Sequence, residues 1–124
     1  MQVAFALLTL FALAACSDTC ADNEHQAVRS PNGKHLAILF DRDLGATTGF
    51  NTHVSVVDSN ECAMGVGNTF IADQGTQVTG GGPWAEVSWI GPDLLLVRYD
   101  ATARVFVKNE NVGAVQVRYS PMSH

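Results

Sequence analysis

The chain has 124 residues, 47% of them hydrophobic and 15% charged, with a formal net charge of −5. That length holds one domain around one modest core. The acidic balance, without a basic cluster, argues against a nucleic-acid surface and against electrostatic docking on anionic lipid.

Residues 1–15 read MQVAFALLTLFALAA and carry no charge. A bilayer-spanning helix needs about 20 apolar residues, whereas a secretory h-region needs only about 7–15. The run ends in Leu13-Ala14-Ala15-Cys16, which resembles the lipobox of bacterial lipoproteins. That likeness implies cleavage before Cys16 and a diacylglycerol on its sulfur. The expectation is a signal peptide over 1–15, a lipidated tether over 16–23 and a folded domain over 24–121. At about 0.8 kcal/mol per buried CH₂, several acyl chains make such an anchor effectively permanent. Ser17, where an Asp would resemble an inner-membrane retention signal, points to the outer membrane, facing the periplasm. Two features leave alternatives open. The segment lacks the Lys or Arg of an ordinary n-region, and Ala12-Leu13-Ala14 also fits the small-x-small pattern of plain secretion.

With Cys16 lipidated, Cys20 and Cys62 remain for an oxidising compartment, where an even pair reads as a disulfide. Such a bridge closes a loop of about 40 residues and contributes up to roughly 4 kcal/mol. Two free thiols are the alternative.

After the tether, apolar residues alternate or cluster in short runs bounded by Gly, Pro and Asn. A first strand spans 24–29, and Ser30-Pro31-Asn32-Gly33-Lys34 turns the chain. Residues 34–41 alternate, with Leu36, Ile38 and Phe40 on one face and Ala37 and Leu39 on the other. Both faces are apolar, so this strand is central. Residues 51–58 place Val54 and Val56 opposite His53 and Ser55, and a short strand over 68–73, anchored by Phe70, follows. Residues 75–83, with three consecutive glycines, form the loosest loop. Trp84 opens a second hairpin that turns at Gly91-Pro92-Asp93. A third hairpin, over 104–108 and 113–119, turns near Asn111 and sets Val105 and Val107 against Val115 and Val117. Seven or eight such strands predict a single small all-β domain, an antiparallel sheet or sandwich. The turn chemistry resembles that of propeller blades, but the chain is too short for the four blades a propeller needs.

The stretch from Asp41 to Phe50 is the most distinctive loop. Arg42, Thr47 and Thr48, with nearby backbone N–H groups, would hold a small anion. The plainer reading, which we favour, is a tight loop held by Thr bonds to its own backbone. Trp84 follows a glycine loop that cannot bury it alone, so it is the aromatic to watch. Trp89, Tyr99, Phe106 and Tyr119 read as core and cross-strand packing. His25, His35, His53 and His124 lack metal-ligand spacing, so no metal or other cofactor is expected. Asp41, Asp43, Glu86 and Asp100 are the carboxylates that would have to pair for acid–base chemistry.

The Ser30–Lys34 turn, the Gly45-Ala46-Thr47-Thr48-Gly49-Phe50 loop, Arg104-Val105-Phe106 and the closing strand at 113–119 together resemble a family of small, uncharacterised proteobacterial proteins, many of them predicted lipoproteins. The resemblance implies no activity and no catalytic residues. Where many such sequences have Cys directly before the Gly-Ala-Thr-Thr stretch, this chain has Leu44, which leaves Cys62 as the partner for Cys20. The leading expectation is a non-enzymatic envelope lipoprotein acting as an interaction or structural module, held to the membrane by lipid, with another envelope protein as the candidate partner. Its runner-up is a periplasmic small-ligand domain using the 41–50 loop and Trp84. A hydrolytic enzyme is the remote third.

Overall fold

The computed structural model describes residues 21, 23–43, 50–63, 65–75 and 82–122. No helix occurs among them; nine strands form two sheets. Sheet A contains β1 (Glu24–Arg29), β2 (His35–Asp43), β3 (Phe50–Asp58), β4 (Phe70–Asp73) and β7 (Arg104–Lys108), in the order β1-β2-β3-β4-β7. Sheet B contains β5 (Ala85–Gly91), β6 (Leu94–Asp100), β9 (Val115–Met122) and β8 (Asn111–Val112), in the order β5-β6-β9-β8. This is the small all-β sandwich that the alternating pattern predicts.

The core lies between the sheets. Ala37, Leu39, Val54, Val56, Phe70 and Ala72 of sheet A meet Ala85, Val87, Leu95, Val97, Val115 and Val117 of sheet B. Each set sits at every second position of its strand, because successive side chains point to opposite faces. Two contacts clip the sheets together at their ends. The Trp89 indole N–H donates to the Val28 carbonyl at 2.8 Å, while His35 stacks on the Trp89 ring. At the other end, Phe70, Tyr99 and Tyr119 form one aromatic cluster. The Lys108 ammonium lies over both tyrosine rings, at 5.4 and 5.5 Å. The Tyr119 hydroxyl sits 2.6 Å from the Asn109 carbonyl and 3.0 Å from that of Thr69, and its proton is available to both. Burial, and then the Glu110 carboxylate, raise the pKa of this hydroxyl and keep it protonated.

The hairpins at Asn32 and Pro92 form as expected, joining β1 to β2 and β5 to β6. The third does not. β7 leaves for sheet A, where Val107 opposes Ile71 and Val105 opposes Ala72, so neither valine faces Val115 or Val117. β9 instead lies parallel to β6, with Leu95 opposite Val117. The tight turn falls one step later, between Val112 and Val115, where Gly113 takes φ +58°, a conformation that costs glycine little. The cause is β4. Its four residues are buried, and without β7 its second edge would be an unpaired, sequestered backbone.

Candidate functional site

β2 and β3 are buried on both sides. On the side away from sheet B, Leu36, Ile38 and Phe40 form a second apolar cluster with Val57, Ala21 and Ala63. Ala21 belongs to the segment read as tether, and the Asn23 carbonyl accepts from the Asp41 N–H at 3.1 Å. Both residues are therefore part of the fold. Ala63 belongs to a strap, described over 59–63 and 65–68, on the outer face of the two strands.

Backbone and side-chain hydrogen bonds hold this strap down. β4 stops pairing with β3 at Val54, leaving the far edge of Val56 without a strand. The Asn68 side chain replaces the strand: its Oδ1 accepts from the Val56 N–H and its Nδ2 donates to the Val56 carbonyl, both at 2.8 Å. The Asn68 N–H donates to Ser55 Oγ at 3.2 Å, and the Thr69 N–H donates to the Val54 carbonyl at 3.0 Å. Gly67 approaches so closely that a Cβ there would stand 2.9 Å from the Val54 carbonyl oxygen and 3.1 Å from His53 Cβ. Its N–H donates to His53 Nδ1 at 2.8 Å.

His53 is the chemically distinctive group of this face. It has no exposed surface, and its ring lies against that of Phe40, 5.3 Å between centroids. Since Nδ1 accepts the Gly67 N–H, the neutral ring carries its proton on Nε2. That Nε2 has no hydrogen-bond partner, which costs about 1–3 kcal/mol. Burial first, and the Arg42 charge second, lower the His53 pKa to about 4 against an opposing pull from Asp41.

Of the residues singled out in the sequence, Arg42 and Trp84 do not converge. Arg42 follows Leu36, Ile38 and Phe40 along the outer face, and its Nη1 lies 4.0 Å from where a Gly65 Cβ would sit. Trp84 is buried at the inner end of the sandwich. Its N–H donates to Thr52 Oγ1 at 2.8 Å, and its ring packs beside Gly82. Sheet A separates the two. Thr47 and Thr48, with the rest of 44–49, lie outside the described residues, as do Cys16, Cys20, His124 and residues 76–81 of the glycine loop. Cys62 is exposed, within the strap, and disulfide-bonded.

Asp41, Glu86 and Asp100 are dispersed among separate partners, and the Asp43 side chain lies outside the described residues. Asp41 bonds His25 at 2.7 Å, Glu86 bonds Arg98 at 2.7 Å, and Asp100 Oδ1 accepts from the Thr102 hydroxyl and N–H. Buried Asp73 accepts two bonds from the Arg104 guanidinium, each 3.0 Å. Among the described residues no three His, Cys, Asp or Glu side chains cluster as metal ligands.

A cavity of about 490 Å³ opens at the strap, lined by Ser55, Val57, Glu61, Cys62, Ala63, Val66 and Asn68. Its polar wall is largely committed, because Asn68 and Ser55 hold the strap and Glu61 Oε1 accepts from the Asp58 N–H. The aromatic that departs from the packing expectation is Phe106. It is 53% exposed on β7, beneath the Arg104 guanidinium at 5.0 Å. The sequence concealed this, since Arg104-Val105-Phe106-Val107 reads as an ordinary hairpin strand.

No family model, curated protein or solved structure matches this chain.

Proposed function

We propose that this chain is a cell-envelope lipoprotein, anchored through Cys16, whose sandwich is an interaction module working through the β7 edge. The observation that carries the reading is the pairing of an open sheet edge with exposed apolar side chains. Among the described residues β7 ends sheet A, and Val105 and Phe106 stand exposed on it. Exposed sheet edges accept a further strand from a partner. The strand order also suits a tethered domain: β1, which follows the N-terminal segment, is at the opposite edge of the sheet. Four strand spacings of about 4.8 Å separate the two edges. An anchor on the β1 side therefore leaves β7 turned away from it.

The lipobox-like Leu13-Ala14-Ala15-Cys16 supports export and lipidation, with Ser17 favouring the periplasmic side of the outer membrane. Because lipid occupies Cys16 in this reading, Cys20 is the cysteine left to bond Cys62, fastening the anchor end to the strap. The small-ligand reading through the 41–50 loop and Trp84 has no such support, given that sheet A stands between Arg42 and Trp84.

The test has two arms in the intact cell. Labelled fatty acid should enter the wild type and not Cys16→Ala; equal label in both would refute the anchor. A photo-crosslinking residue at position 106 should capture an envelope protein that the same residue at exposed Gln26 on β1 does not. Equal capture at both positions, or at neither, would refute the edge.

A further inference from the structure

The outer face of sheet A joins three observations that the interaction reading does not use. His53 is wholly enclosed, its Nδ1 accepts the strap's Gly67 N–H, and its Nε2–H is unpartnered. A ring nitrogen accepts a hydrogen bond only while it has a free lone pair. Once Nδ1 takes a proton it becomes a donor facing the Gly67 N–H, and an attraction turns into donor–donor repulsion. The closed strap has little room to shift toward β3, since a Cβ on Gly67 would already stand 2.9 Å from the Val54 carbonyl oxygen and 3.1 Å from His53 Cβ.

We propose that His53 and the strap segment 65–68 form an acid-operated latch, in which proton uptake at Nδ1 breaks the bond to Gly67 and lifts the strap from β2 and β3. The lifted strap gives the charged ring access to water and takes Ala63 off the Leu36, Ile38 and Phe40 cluster, on which Ala21 and Val57 also pack. Cys62 lies within the strap and is disulfide-bonded, so the bridge keeps the opened strap tethered and the release is local and reversible.

The charges around the ring set where the latch trips. From β2, Arg42 opposes the protonated ring and Asp41 favours it, while burial opposes it most. From β4 the residue in register with His53 is apolar Ile71. The strap contributes no Lys, Arg or His, and its single carboxylate is Glu61. The latch therefore stays shut near neutrality and yields in acid. An opened His53, solvated and with its ordinary pKa, takes the proton that the closed one resists, so the opening equilibrium rises about tenfold per pH unit. That rise runs from about pH 6.5 downward and levels off near pH 4, where the closed ring is itself protonated.

Amide exchange of Gly67, corrected for the intrinsic exchange rate, reads the opening in the intact disulfide-bonded protein. Its protection should fall by about two orders of magnitude between pH 6.5 and 4, while the closed His53 ring titrates only near pH 4 and Val97 in the core stays protected. His53→Asn places an amide oxygen near the Nδ1 position and cannot be protonated, so Gly67 should then keep its protection in acid. Three results would overturn the latch: Gly67 protection that holds down to pH 4; an equal loss of protection at Val97, which would make the opening global; or acid opening unchanged in His53→Asn. The first two need only the wild type, and so survive a variant that fails to fold.

Discussion

β2 and β3 bury both their faces by different physics. Toward sheet B, Leu39, Val54 and Phe70 sit among side chains from a second full sheet, and the cover is apolar and extensive. Toward the outside, the cover is Ala21 and a short strap held by the Cys62 disulfide and by hydrogen bonds that involve Asn68, Ser55 and one histidine nitrogen. Apolar burial responds little to pH, whereas a bond to a titratable nitrogen exists in only one protonation state. The same strands thus carry one permanent surface and one conditional surface.

The largest way to expose the contrast is Phe70→Ala. Phe70 is fully buried and touches the rings of Tyr99 and Tyr119. A cavity there should cost about 3–5 kcal/mol, read as a lower urea midpoint at neutral and acid pH alike. The pH dependence of the wild type comes next. The folded state holds His53 neutral down to about pH 4, while the unfolded chain protonates it near its ordinary value of about 6.5. The unfolded state therefore binds more protons in that window. Its contribution is fully present above pH 6.5 and is lost as pH falls toward 4, by up to about 3 kcal/mol. His53→Asn should flatten this part of the curve, and a slope unchanged in the variant would assign it to carboxylates.

Asn68→Ala should cost about 2 kcal/mol, because it strips both groups that satisfy the Val56 backbone. Gly67 protection should drop at pH 7 in this variant without acid. Glu86→Gln is the smallest. Its ion pair with Arg98 is 50–55% exposed on both sides, and melting should shift by an amount corresponding to less than about 0.5 kcal/mol. A larger shift would mean that the outside of sheet B also carries stability.

The fold was legible where local signals and pairing agree. The alternation in β2 gave both of its faces, including the double burial, and the Ser30–Lys34 and Gly91–Asp93 turns fixed two hairpins. The third expected hairpin failed because β7 alternates equally well as a partner for β4 or for β9. Nothing within 104–119 records that β4 needs a second neighbour. The strap was harder still. Asn68 reads as the start of a strand, yet it works through its side chain as a substitute for one. His53 was correctly set opposite Val54, but a polar residue on the far face of an antiparallel sheet normally meets water, and only the strap makes it a core residue. Loop chemistry singles out Arg42 and Trp84 but carries no information about the sheet between them.

The parallel pairing of β6 with β9 bears on the order in which the molecule assembles. β1–β2 and β5–β6 are local hairpins, of the kind that closes in about 1–10 μs. β9 reaches β6 only after the chain has crossed to sheet A as β7 and returned through β8. Such non-local closure is slow, since the loop entropy is lost before any contact repays it. Neither half of the sandwich can therefore finish while residues 115–122 are still being made, because Val115 and Val117 fill the shared core. For a chain exported as proposed, this delay has a use: translocation can begin while hairpins are all that has formed, and the sandwich closes once its last strand arrives.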